Sequence, residues 1–538
     1  MFKFIQKKLH FWNIKNQHKN KNNDSDSINN QNYADYTKTL SENIKNIKSA
    51  LGNSTDLVVR EFSFGYKQSI NAALIFIDGL TNTTIINDNI IEPLMYGSEI
   101  LNLEQPLKNS KIDDIKKAIL SVSDIRNVNT LNDIVDGFLS GDAALMIDGT
   151  NEALIISCKG WEKRAISEPT TEAVIRGPRE AFTENLRTST ALLRRKIKSP
   201  ALTTEMMVLG EKTKTNICIA YIRDVANQEL IEEVRKRLKD INTDAILESG
   251  YIEQFIEDAP FSIFSTMAYT EKPDVVAAKL LEGRVAIIID GTPFVLTAPM
   301  FFIESFQTSE DYYSRTYFMS MLRIVRFIAY FLTVLSPALY VAVTTFHQEF
   351  IPTSLLLTMA AAREGIPFPA VVEVGIMIMI FEILREAGVR LPRPVGQAIS
   401  IVGALVVGQS AVSAGLIGEP VVIVIALTSV AIFVVPNQAD AAAVMRVMFL
   451  ILAAVMGGIG ITIGLLATLI HLASLKSFGF YYLSPIAPFQ IRDLKDTIIR
   501  APLWTMRKRP SGLARNDKTR QSTSTPKSNT ADKNKKVH

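Results

Sequence analysis

Three carboxylates and one amide stand where the chain is otherwise apolar: Glu373, Glu382, Glu419 and Gln409. An acid at membrane depth is costly and usually faces water, a partner or a pathway. These four are therefore candidates for an ion route or its gating. Glu373 and Glu382 are nine residues apart, about half a turn out of phase at ~3.6 residues per turn. They cannot line one stripe, and a place near a helix end suits each of them. Glu419, between Gly418 and Pro420, marks a helix break and could aim its carboxylate into a cavity. Arg326 fits a snorkelling anchor at the start of a span, and Arg446 stands in the first turns of the last apolar run.

A second group is basic. Arg176-Gly177-Pro178-Arg179-Glu180 reads as the opening of a helix, with Glu180 in the first turn, where it complements the helix dipole. Arg187, Arg194, Arg195 and Lys196 follow. The cluster suits an ion-pair interface with a neighbouring subunit or the membrane surface, or else a solvated basic face. A third group is a pair of Asp-Gly steps, Asp148-Gly149 and Asp290-Gly291. They resemble a catalytic carboxylate pair, but Asp-Gly also supplies the positive φ angles of a tight hairpin. A structural role is the expectation.

Nothing else suggests an enzyme. The five histidines are His10, His18, His347, His471 and His538, so the region expected to be soluble and folded has none. No glycine-rich phosphate loop or metal-ligand cluster is visible. Cys158 and Cys218 offer no disulfide framework or metal spacing. No catalytic residue, cofactor or metal is expected.

The elements that position these residues fall on two sides of a charge boundary. No lysine occurs between Lys279 and Lys476, and from about Met319 the chain is strongly apolar and glycine-rich. The first 50 residues carry nine Lys against four Asp and Glu; residues 492–538 carry thirteen Lys and Arg against four Asp. Basic segments flanking spans usually lie on the cytoplasmic side, with anionic lipid their ordinary partner. Nucleic acid is not expected, because the tails lack interleaved aromatics.

The polar half contains a repeat. Leu139, Gly141, Ala144, Ile147, Asp148, Gly149, Thr150 and Leu154 recur 142 residues later as Leu281, Gly283, Ala286, Ile289, Asp290, Gly291, Thr292 and Leu296. The expected architecture is an α+β soluble domain of two tandem repeated subdomains, followed by an all-α multi-pass membrane domain. Expected boundaries are a disordered basic extension 1–50, a cytoplasmic α+β domain 51–317, a membrane domain 318–490 and a disordered basic tail 491–538. Subdomains 55–160 and 205–300 are joined by a basic helical segment, 176–198. Apolar runs at 322–346, 371–384, 398–435 and 441–475, plus a short one at 353–362, allow four to six membrane helices. Ser400, Ala404 and Gly408, like Gly460, Gly464 and Thr468, form small-residue faces for close helix packing.

Five stretches carry a family resemblance: RGPREAFTENLRTSTALLRRKI (176–197), ESGYIEQFIED (248–258), LLEGRVAIIIDGTPFVLTAP (280–299), FEILREAGVRLPRPVGQAISIVGALVVGQSAVSAG (381–415) and YYLSPIAPF (481–489). The chain resembles the A subunit of GerA-type spore germinant receptors. The resemblance implies a non-catalytic, multi-pass protein of the spore inner membrane, with N-terminal domain and tail cytoplasmic. It implies partnership with a transporter-like B subunit and a lipoprotein C subunit, and a homo-oligomer forming a nutrient-gated ion channel. A solute transporter subunit or a non-conducting scaffold are the alternative roles.

Overall fold

The structure, a computed structural model, describes residues 36–100, 112, 115–160, 168–169, 171–390, 408–510, 512–514 and 519–521. Most of the expected N-terminal extension and of the tail beyond 521 lie outside the described residues, as do Ser400 and Ala404. The chain divides into two compact units. One comprises Met1–Ala50, Leu57–Ile77 and Thr81–Lys159; the other comprises Leu51–Asp56, Asp78–Leu80 and Gly160–His538.

The first unit is built on helix α1 (Leu40–Ala50), strands β1 (Leu57–Phe64) and β2 (Ile70–Ile77), helices α2 (Thr83–Ile86) and α3 (Glu92–Ile100), β3 (Ile125–Val128), α4 (Leu131–Leu139), β4 (Ala143–Ile147) and β5 (Ala153–Ile156). The sheet order is β1-β2-β4-β5-β3, antiparallel at each pairing. Strand β2 reads INAALIFI and lies centrally because both its faces are apolar. Leu74, Phe76, Leu145 and Ile147 meet Ile90, Leu94 and Ile115 on one face. The alternate residues Ala73, Ile75, Ala144 and Met146 are buried on the other, where α1 and α4 pack on β2.

The second unit begins its α/β part with α5 (Leu186–Lys196), β6 (Leu202–Leu209) and β7 (Thr215–Ile222). Then come α6 (Gln228–Lys239), α7 (Ser249–Ile256), β8 (Ala268–Thr270), α8 (Pro273–Leu281), β9 (Val285–Ile289) and β10 (Val295–Ala298). Its strand order, β6-β7-β9-β10-β8, repeats that of the first unit. Ile217, Ile219, Val285, Ile287 and Ile289 pack with Leu230 and Val234 of α6 and Ile252 of α7. Cys218, Ala220, Ala286 and Ile288 pack with Leu192 and Leu193 of α5 and Val276 of α8. Both cysteines are buried and unpaired.

Three expected boundaries move. Residues 40–50 form α1, not extension. The segment expected to join the subdomains supplies α5, the first helix of the second subdomain. That helix starts at Leu186 rather than near Gly177: Asn185 Oδ1 accepts from the Thr188 amide, a strong N-cap, and Glu180 precedes it. The stretch after residue 491 is ordered at Asp493–Lys495 and Leu503–Thr505, with Thr497 and Arg500 buried.

The apolar half comprises α9 (Thr316–Thr345), α10 (Thr353–Arg363), α11 (Ala370–Arg390), α12 (Gly408–Ser413), α13 (Glu419–Ile432) and α14 (Ala439–Ser474). Among the described residues, two runs are long and apolar enough to cross a bilayer, Thr316–Thr345 and Pro436–Ser474. The second is folded back on itself. Gly457 has φ 60 and ψ −136. In a straight helix Phe449 and Gly464 would stand about 22 Å apart, yet a Cβ added to Gly464 would lie 2.8 Å from Phe449 Cε1. The Gly458 amide, at the reversal, donates to His347 Nε2 at 3.2 Å. Gly460 and Gly464 thus pack against Leu452 and Phe449 of their own hairpin. Each end of the hairpin is bonded outside it: Gln438 Nε2 donates to Ser305 Oγ, in the turn that follows β10, at 2.7 Å, and His471 Nε2 lies 2.9 Å from Ser262 Oγ, in the loop between α7 and β8.

A Cβ on Gly457 would lie 2.8 Å from Phe346, at a φ that L residues rarely adopt. Gly457→Ala should cost about 1–3 kcal/mol and lower the melting temperature of the detergent-purified protein. Gly375→Ala, where nothing lies within 4 Å, should leave it unchanged.

Candidate functional site

Among the described residues, polar side chains tie one element to another at several places. The first is a latch found in both subdomains. Asp148 Oδ1 accepts from the Leu40 amide at 3.1 Å, at the start of α1. Asp290 Oδ1 accepts from the Leu186 amide at 3.0 Å, at the start of α5. Gly149 and Gly291 donate to Lys38 O and Glu184 O at 2.8 and 2.7 Å. Their φ values are 81° and 91°. Asp148-Gly149 makes the expected turn between β4 and β5, with the Thr150 amide donating to Ile147 O at 3.4 Å, but in a loop longer than a two-residue hairpin. Met146 pairs with Ala153 across a longer loop, only the glycine takes positive φ, and the aspartate works through its carboxylate on a helix N-terminus.

The basic segment does not act as one face. Arg176 and Arg179 are exposed, and Arg179 pairs with exposed Glu168 at 3.4 Å. The Arg176 amide donates to Glu310 Oε1 at 3.0 Å. Glu180 bridges Arg195 and Lys196 at 3.1 and 3.2 Å, and exposed Arg187 holds Asp78 at 2.8 Å. Arg194 departs from the expected interface. It is fully buried, with Nε 2.6 Å from Asp56 Oδ2 and Nη2 2.9 Å from Oδ1, a bidentate fork. It also donates to Ser54 Oγ at 3.0 Å and Ser199 O at 3.2 Å. It cannot serve an outer interface. Burial pushes the Asp56 carboxyl up, but the Arg194 charge and hydrogen bonds outweigh it and hold the group below the usual carboxylate range.

The third place is the root of the apolar helices. Asp311 is fully buried and binds Arg323 Nε at 2.7 Å and Arg326 Nη1 at 2.9 Å. Arg323 Nη1 also reaches Asp496 Oδ1 at 2.7 Å, and Tyr312 Oη donates to Asp496 Oδ2 at 2.7 Å. Arg500 donates to Thr316 Oγ1 at 2.8 Å. Arg326 therefore does not snorkel towards headgroups; its charge is satisfied inside the protein. Burial and the adjacent Asp496 raise the Tyr312 phenol well above its ordinary range.

The four ion-route candidates separate. Glu373 is fully buried at the start of α11. It takes Arg363 Nη2 at 3.1 Å and the Gly418 amide at 3.0 Å, so it holds the chain break that precedes α13. Glu382 pairs with Arg385 at 2.9 Å and with Arg446 of α14. Glu419 and Gln409 are exposed on either side of the break. The sequence offered no signal for the Arg363–Glu373 or Arg446–Glu382 pairs, because the partners lie on helices whose pairing it does not encode locally. Among the described residues no group of three His, Cys, Asp or Glu gathers as a metal site.

Fold and site define an α/β protein continuous with long apolar helices, in which charged side chains bind elements together. The model of the Bacillus/Clostridium GerA spore germination protein family matches residues 45–512. "Spore germination protein KA" of Bacillus subtilis (strain 168) is 46% identical over 485 residues, 90% of this chain and 88% of that protein. "Spore germination protein GerLA" of Bacillus cereus is 36% identical, over 89% of this chain and 96% of that protein. A crystal structure of the N-terminal domain of the A subunit of the Bacillus megaterium spore germinant receptor GerK3 is 38% identical. It spans 50% of this chain and 98% of that one, with a TM-score of 0.41. The chain belongs to the GerA spore germination protein family.

Two outcomes follow from the pairs. Asp56→Asn leaves Arg194 buried without its charge partner and should cost about 3–5 kcal/mol. Because the folded-state pKa of Asp56 is depressed, its contribution is present above the unfolded value near ~3.9 and is lost as pH falls through the folded one. Acid unfolding followed by circular dichroism should be less steep in the variant over that window. Glu382→Gln should lower the melting temperature in detergent, and adding Arg446→Leu should recover part of the loss. No recovery would show that the two side chains are not coupled.

Proposed function

We propose that this chain is the non-catalytic A-type membrane subunit of a nutrient-sensing spore germination receptor, and that an oligomer of it forms a gated ion channel in the spore inner membrane. Its partners are a transporter-like B subunit and a lipoprotein C subunit. Both soluble ends lie on the cytoplasmic side. The fold-back at Gly457 supports a multi-pass arrangement, since one apolar run reverses and brings its two ends to Ser305 and Ser262, on either side of β8–β10 in the chain.

One observation carries the channel reading. At the break before α13, Glu373 is buried as a strut while Gln409 and Glu419 face outward among exposed apolar residues such as Leu416 and Ile423. An exposed carboxylate and amide on an apolar helical surface call for water or a neighbouring subunit. A ring of copies supplies both, with Gln409 and Glu419 on the route and Glu373 holding the segment that moves. Glu382, tied to Arg446, acts with it as a brace.

The test is ion efflux from vesicles holding the assembled receptor. Saturating nutrient should start the efflux. Glu419→Gln should slow it several-fold at unchanged subunit level. A correctly assembled receptor that stays ion-tight with nutrient would overturn the proposal.

A further inference from the structure

The second α/β subdomain carries an apolar outcrop beside the end of the last apolar helix. Helix α7 buries Ile252 and Ile256 but turns Tyr251 and Phe255, one turn apart, outward at 45% and 54% exposure. The loop that follows exposes Phe261 completely and Ile263 at 38%. That loop is not frayed. Ser262 N donates to Ala259 O at 2.9 Å and Phe264 N to Ser262 Oγ at 3.1 Å. Phe264 points inward, buried, with its ring centroid 6.0 Å from Phe302 and 6.1 Å from His471. The fold therefore holds Phe261 out in a fixed position.

The position is specific. Ser262 Oγ lies 2.9 Å from Nε2 of His471, in the last turn of α14. One turn or less before it, Leu469 and Ile470 are 56% and 70% exposed. The outward apolar surface of that helix thus continues onto the loop. Lys476, just beyond, is exposed with its ammonium 5.4 Å from the Tyr481 ring centroid. Aromatic and apolar side chains flanked by a cation at the end of a span make the composition of a headgroup-level anchor. The acids next to it in sequence are engaged: Glu253 accepts from Ser265 Oγ at 2.6 Å, and Asp258 is bound to Arg237 at 2.7 Å and to the Phe478 amide. Burial, with Glu253 and Asp258 close by, pushes the Glu257 carboxyl up to about 7.

We propose that the loop around Phe261, with Ile263 and Phe255, is an interfacial wedge that dips into the lipid headgroup and upper acyl region beside the last span. The proposal rests on the membrane placement argued above.

The test is spin-label accessibility of the full chain in nanodiscs of mixed neutral and anionic lipid, with the assembled receptor partners present. Single nitroxides go in at Phe261→Cys, Ile470→Cys and Lys236→Cys; Cys158 and Cys218 are buried and stay unlabelled. Position 470 should favour oxygen over a water-soluble nickel chelate, and position 236 the reverse. The oxygen-to-chelate ratio at 261 should be several-fold above that at 236. A ratio at 261 equal to that at 236, with 470 lipid-like, overturns the wedge and leaves the membrane placement intact. Low access to both reagents at 261 overturns it in favour of a second protein on the outcrop. A water-like 470 overturns the membrane placement itself.

Discussion

The buried carboxylate of Asp311 is the point on which the second unit depends. It lies in a short turn ahead of the first long apolar helix and takes two guanidiniums from that helix's second and third turns. Three buried charges are stable only as a satisfied set. The set is completed by Asp496, which the chain supplies after all its apolar helices have been traversed. The root of the helical half is therefore fixed by two segments from opposite ends of it. A rotation of α9 about its axis would break these charge-assisted hydrogen bonds as well as its packing.

That arrangement gives the helices a stiff end and a softer one. Near the α/β subdomain, ion pairs and the aromatic cluster of Phe302, Phe306 and Tyr330 lock α9 in place. At the far end one carboxylate, Glu373, bridges a short helix, a long helix and a chain break. Movement confined to the far end is the cheaper displacement, because it disturbs fewer buried charges.

Much of this was legible in the sequence. The repeat around Asp148 and Asp290 located the strand pairs β4–β5 and β9–β10, which lie within the two sheets of like order. What escaped was long-range. Arg194 looked like one basic residue among several, and only the fold reveals Asp56 waiting 138 residues away. Arg326 matched an anchor pattern that holds when no internal acid is near. The reversal at Gly457 was invisible because an unbroken apolar run reads as one helix. A single glycine with a neighbouring glycine was the only local trace of it. Both terminal boundaries erred in one direction, since polar, lysine-rich composition describes the surface of α1 and of the 491–510 stretch as well as it describes a loose tail.

The aspartate latch has a consequence for how the protein is made. In each subdomain the carboxylate that secures the first helix comes from a hairpin 108 or 104 residues later. Neither helix can acquire its anchor while the ribosome is still delivering the middle of the subdomain, so completion waits for the closing strands. In the second subdomain those strands end at Ala298, ahead of Thr316. Both sheets and their latches can thus form before any long apolar helix leaves the exit tunnel, while Phe478 and Ala514, which complete the cores of the second subdomain, arrive only after those helices.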